Sequence, residues 1–275
     1  AVATTTAALV LIDLGEIGLD DPLEYFAPCL ADHPLGKVHI RHLLTQTLGL
    51  TGWVPLFKRG ARRDDIPFFM RGVELSWPAG TRVQYSCPGF ILLGWVIEKV
   101  SCMTLDDFTR ELIFEPLEMG DTMFLPLNKP VPDRIRRRLV PTEPRSATLR
   151  GREIMEAFAK LEMATSMSDG TYGPENCWLR DVQREWSVRH IAGDIPCGVV
   201  HDENAAWLGG VAGNAGLFST AEDLLKFGEM YLNEGIYNGK SILSSSAIRL
   251  ATQDWTRGHP GGEHRGPGGP ALIPL

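Results

Sequence analysis

The sequence predicts an α/β (α+β) protein dominated by helices, and three segments carry the helical part. Pro88 to Val100, PGFILLGWVIEKV, is strongly apolar and opens on a proline suited to a first helical turn. Ala221 to Asn233 has a helical pattern, with Ser219 or Thr220 as the cap and Glu222 and Asp223 where the macrodipole favours acids. Ala1 to Ile12, AVATTTAALVLI, reads as the body of a buried helix that ends near Gly15 or Gly18. With 275 residues and 44% hydrophobic content, the chain can bury a sizeable core in one large domain or two lobes.

The remaining elements follow in order. Asp20, Asp21 and Pro22 can cap and start a short helix in LDDPLEYF. A helix from Ile40 to Gln46 places Ile40, Leu43, Leu44 and Thr47 on one face and is expected to stop at Gly49. A turn at Trp77-Pro-Ala-Gly80 leads into Val83 to Ser86. Thr104 begins the next helix, with Asp106 and Asp107 in its first turn. Residues 126 to 150 read as loop or short strand, 150 to 167 as an amphipathic helix, and 168 to 197 as irregular. Gly209 to Gly216 reads as a tight turn, since it lacks the Lys-Ser/Thr ending of a phosphate loop. Ile242 to Thr252 reads as a short helix, and the Gly/Pro-rich residues 256 to 275 as a disordered tail.

Composition narrows the function classes. A formal net charge of −7 argues against general nucleic-acid binding. The basic run Arg134, Arg136, Arg137, Arg138 reads as a solvated loop face. No apolar stretch approaches the ~20 residues that span a bilayer. The five cysteines are widely spaced without a C-x-x-C pair, so reduced, packed thiols are expected rather than zinc or a disulfide framework. His201, Asp202 and Glu203 are metal-ligand types, but neighbours in sequence rarely converge on one ion, and no metal site is expected.

Three blocks then carry a family likeness. They are IGLDDPLEYFAP with VHIRHLLTQTLGLTGW (38–53), the run from Trp77 to Phe124 that contains WPAGTRVQYSCPGF, and GVVHDENAAWLGGVAGNAGLFSTAEDLLKF (198–227). Together they resemble the β-lactamase-related serine hydrolases, which include class C β-lactamases, D-alanyl-D-alanine peptidases and related esterases. The likeness covers roughly residues 1 to 250, with an insert around 143 to 197, and implies one β-lactamase-related domain over 1 to 255. It implies a β-lactamase/transpeptidase-like fold, a helical lobe plus a partial antiparallel sheet. It also implies acyl transfer to a serine from a small-molecule or peptide-like substrate bearing an ester, amide or β-lactam, with no cofactor.

The implied site is carried over residue by residue. The family places its serine in Ser-x-x-Lys, because an unassisted hydroxyl is a poor nucleophile. No serine here is followed by lysine three residues later; by the family pattern that motif is expected immediately before Ala1. Tyr85, in Tyr-Ser-Cys, matches the catalytic tyrosine. Cys87 stands where the family usually has asparagine, in a substrate-binding position that a thiol fills poorly. A nucleophilic role for Cys87 lacks a partner histidine in the sequence. His259-Pro-Gly261 echoes the closing His-Thr-Gly triplet but reads as coincidence, since Pro260 removes a hydroxyl and a backbone donor. His42 and His201 read as structural positions. Lacking the family's first and last strands, the chain is expected to expose the apolar face of Ala3 to Ile12 and to be unstable. A second reading, a non-catalytic binding or scaffold protein on the same fold, stays open, as do substrate and compartment.

Overall fold

In the computed structural model, the described residues are 2–56, 63–142 and 197–259. The first helix, α1 (Thr4–Asp13), is closed by Gly15 in the left-handed region at φ 75°. The short helices α2 (Leu23–Phe26), α3 (Ile40–Leu44) and α4 (Ile66–Met70) follow. The long helix α5 runs Cys87–Ser101, capped by Ser86 and closed by Cys102 at φ 55°. Next come α6 (Leu105–Thr109), capped by Thr104, a π-helical stretch Arg110–Phe114, and α7 (Asp133–Arg136). Beyond the insert lie α8 (Glu203–Trp207), α9 (Ala221–Leu232) and α10 (Ser245–Thr252), capped by Asp202, Thr220 and Ser244.

Strand structure among the described residues is limited to two antiparallel pairs. Strand β1 (Met123–Phe124) pairs with β2 (Leu217–Phe218) through Met123 opposite Phe218 and Phe124 opposite Leu217. Strand β3 (Ile236–Tyr237) pairs with β4 (Lys240–Ser241) in a hairpin. The first pair matters for the site, because it ties the segment after the π-helical stretch to the Gly-rich loop 209–216.

The core is built around α1 and α5. Helix α1 packs against α5, α6, the π-helical stretch and α10. Ala7, Ala8, Leu92, Leu93, Val96 and Ile97 are sealed from solvent. Each fully buried Leu or Ile contributes about 1.5–3 kcal/mol of transfer free energy, so this helix pair is a main source of stability. Asp13 closes the arrangement by accepting hydrogen bonds from the Ser244 backbone N–H and hydroxyl, both at 2.6 Å.

Several expectations need correction. The apolar face of α1 is not exposed: residues Thr4 to Leu11 are buried, because α5, α6 and α10 wrap the helix without help from a large sheet. The helix from Ile40 stops at Leu44 rather than reaching Gly49, because Gln46 turns left-handed at φ 58°. Ile242 precedes its helix, which waits for the Ser244 cap. The expected segments within 143–196, Cys177 among them, and the tail beyond His259 lie outside the described residues. Cys29, Cys87, Cys102 and Cys197 are free thiols.

Candidate active site

The start of α5 is held by a loop that the sequence places about 40 residues earlier. Gln46 accepts the Gln84 N–H on its carbonyl and the Ser86 N–H on its side-chain Oε1, both at 2.8 Å. Gly52 accepts the Cys87 N–H at 2.9 Å, and the Ser86 hydroxyl donates to the Thr51 carbonyl at 3.1 Å. The same hydroxyl accepts the Gly89 N–H at 3.3 Å, capping the helix. Gly49, at φ 90°, is obligatory in this loop, since a side chain there would run into the Trp77 carbonyl. Beneath the loop, fully buried Asn204 accepts the Leu56 N–H at 2.9 Å and donates to the Val54 carbonyl at 2.8 Å.

This frame presents Tyr85 and Cys87 side by side. Tyr85 is 66% exposed while Cys87 is buried, and the Cys87 thiol donates to the Tyr85 phenol oxygen at 3.5 Å. The Cys87 contact, then burial, then the negative field of Asp202 raise the phenol above its ordinary pKa. Tyr85 is protonated at neutral pH, as an ordinary phenol is, and the shift makes it a weaker acid. Burial first, with Asp202 and Glu203 adding to it against the Tyr85 and Asn214 contacts, pushes the Cys87 thiol up as well. A thiol held protonated is a poor nucleophile.

Two groups at this corner escaped the sequence reading. Gln46 is one, hidden because its role depends on a left-handed backbone that glutamine seldom adopts. The other is Asn214, which the pairing of Gly213 with α5 brings to the Cys87 thiol. Its signal in the sequence is the flanking Gly213 and Gly216, which allow close backbone approach.

The other candidates lie apart. His201 is exposed, whereas Asp202 caps α8 by accepting the Ala205 N–H at 2.8 Å. Among the described residues no group of three His, Cys, Asp or Glu side chains could hold a metal ion. His42 bonds Thr47 Oγ1 at 2.9 Å and sits under Gly80. Burial, then the positive neighbours His39, Arg41 and His259, lower its pKa to about 4. His259 Nε2 lies 2.9 Å from the Gly80 carbonyl, and the rest of its triplet is outside the described residues. Arg134 and Arg138 both pair with Asp121, at 2.9 and 2.6 Å, and Arg136 pairs with Asp133 at 3.3 Å. A cleft of about 560 Å³ opens between Asp106, Arg110, Phe114, Glu118, Lys129 and Arg134; none of the corner residues lines it.

A family model described as Beta-lactamase matches residues 2–271. The chain belongs to the Beta-lactamase family. Two relatives of this family member are an N-acetylmuramyl-L-alanine amidase of Bacillus subtilis (strain 168) and a putative D-alanyl-D-alanine carboxypeptidase of Escherichia coli (strain K12). Each is 25% identical over 264 residues, covering 91% of this chain and 52% of the relative. The family member thus spans about half the length of these relatives. Among solved structures, the class C β-lactamase of Rhodobacter sphaeroides gives a TM-score of 0.59 at 18% identity, covering 91% of this chain and 54% of that one. A penicillin-binding protein homologue of Caulobacter crescentus gives 0.58 at 20% identity, covering 92% and 59%. These two likenesses show the fold, a β-lactamase/transpeptidase-like one that is rich in helix here, with small antiparallel sheets.

Proposed function

We propose that this chain carries the proton-transfer side of a serine acyl-transfer site whose substrate is an amide. The observation that supports it best is Tyr85 itself, an exposed phenol anchored at the start of a buried helix. In the reaction a serine oxygen attacks the carbonyl carbon and loses its proton to the adjoining base. Tyr85 delivers a proton to the amide nitrogen as the C–N bond breaks, and water then releases the acyl group from the serine. The names of the two relatives, an amidase and a carboxypeptidase, favour an amide over an ester. The 275 residues hold no Ser-x-x-Lys, so this chain by itself forms no acyl-enzyme in the family's manner. Cys87 in place of asparagine, with its thiol held neutral, is what favours the second reading of a non-catalytic binding protein.

Labelling separates these readings. The product of the entire reading frame, expressed beside the 275-residue chain, is treated with a fluorescent penicillin and a fluorophosphonate. Label is expected on a longer product and not on the 275-residue chain. Tyr85→Phe is expected to slow acylation by about 10²–10⁴-fold, the usual worth of a positioned proton donor. A frame product that takes no label supports the binding protein, and label on the 275-residue chain itself refutes the assignment of the nucleophile.

A further inference from the structure

The Tyr85 corner contains a side chain whose hydrogen-bonding capacity the fold leaves largely unused. The backbone at Gly213 is clamped between α1 and α5. Thr4 Oγ1 donates to its carbonyl at 2.8 Å, a Cβ on Gly94 would come within 2.9 Å of its Cα, and a Cβ on Gly213 itself would collide with the Phe90 carbonyl. This contact delivers the next side chain, Asn214, to the first turn of α5, against Cys87. Both Asn214 Nδ2 and Asn214 Oδ1 are buried, and neither makes a hydrogen bond of normal geometry, the side chain resting only in weak contact with the Cys87 thiol. A buried polar group left unpaired costs about 1–3 kcal/mol, and native folds retain few of them without a use.

We propose that Asn214 is a substrate-positioning residue whose side-chain amide pairs with an amide of the substrate, Nδ2 donating to its carbonyl and Oδ1 accepting its N–H. It thereby supplies the donor and acceptor that the thiol of Cys87 cannot provide together. No hydrogen bond fixes the Asn214 rotamer, so the amide can turn toward the partly exposed side of the residue without breaking one. The substrate class that fits is an N-acylated amino acid or peptide, with a secondary amide on the acyl side of the bond that is cut. This assignment rests on the acyl-transfer reading for the role of the neighbouring Tyr85, but the amide pairing needs no nucleophile.

The 275-residue chain, labelled with ¹⁵N, is titrated with N-acetyl-D-alanyl-D-alanine and with the counterpart methylated at the acetamide nitrogen. The Asn214 side-chain NH₂ pair, identified by its loss in Asn214→Leu, is expected to shift saturably with the first probe. The methylated probe is expected to bind about tenfold more weakly, the effect of one lost hydrogen bond at a buried partner. Asn214→Leu and Asn214→Ala are both expected to lose that discrimination. The melting temperature of Asn214→Leu is expected to hold or rise, because the substitution removes an unpaired buried amide for a similar shape. Absence of a saturable shift, equal binding of the two probes, or discrimination kept by both variants overturns the proposal. A marked fall in the melting temperature of Asn214→Leu assigns the residue to the fold instead and also overturns it. Failure of the acyl-transfer reading gives a different pattern: amide discrimination persists while the full reading-frame product takes no label.

Discussion

The 560 Å³ cleft beside α6 and the corner at the start of α5 are built on opposite principles. The cleft is roomy and rimmed with charge, yet its charges answer one another. Arg110 alone engages Asp107, Glu111 and Glu115 at 2.7–3.0 Å, and Lys129 pairs with Asp106 at 3.3 Å. The corner keeps an exposed phenol, a protonated thiol and an amide with largely unused donors and acceptor. Volume alone would direct attention to the cleft. Unsatisfied chemistry directs it to the Tyr85 corner.

The comparison can be broken first at the frame beneath the corner. Asn204→Ala removes two hydrogen bonds to the Val54–Leu56 segment and leaves the Leu56 N–H and the Val54 carbonyl only the 2.9 Å bond they make with each other. A loss of about 1–3 kcal/mol of unfolding free energy is expected, measured by urea denaturation. A loss under about 0.5 kcal/mol would show that the loop holds without its support.

A smaller effect follows from His42, which sits under the turn at Gly80 that backs the same loop. Its pKa is about 4 in the fold against 6.5 for the free group, so the unfolded chain binds the proton more readily. Its contribution is complete above pH 6.5 and declines as pH falls toward 4. The ring is only half-buried, so the effect is discounted for solvent screening. Between pH 7 and 5 the melting temperature is expected to drop on the order of 2–4 °C through this residue, as about 1 kcal/mol produces in a chain of this size. His42→Gln should lack that part of the drop, and an unchanged pH profile in the variant would dismiss the assignment.

The smallest effect belongs to the cleft. Arg110→Ala breaks three ion pairs at once, but its side chain is 48% exposed and its partners are of similar exposure. The expected cost is about 0.2–1 kcal/mol, reduced further in high salt. A loss comparable to that of Asn204→Ala would mean that the two regions are less different than their geometry indicates.

Much of the helical frame was legible because caps and periodicity act locally. Thr104 and Thr220 cap the helices they precede, and the apolar run at Pro88 became α5 with one extra residue at each end. The matched blocks identified the family and marked Tyr85 as the residue to examine. What stayed hidden depends on contacts between distant segments. Gln46 stops α3 through a backbone conformation that its side chain does not announce. Asn214 reaches Cys87 only because Gly213 lies flat on α5. The burial of α1 was misjudged for the same reason: its cover comes from α5, α6 and α10, the last placed by the sequence at the far end of the chain.

The contact between Asp13 and Ser244 spans 231 positions. On the ribosome, at about 5–20 residues per second, α1 therefore emerges roughly 10–50 s before the segment that closes over it. Helices α5 and α6 reach α1 sooner, so in that interval it is the side meeting α10 that waits for its permanent contact. Synthesis of this chain thus includes a period, set by topology, in which that side of α1 lacks its final partner.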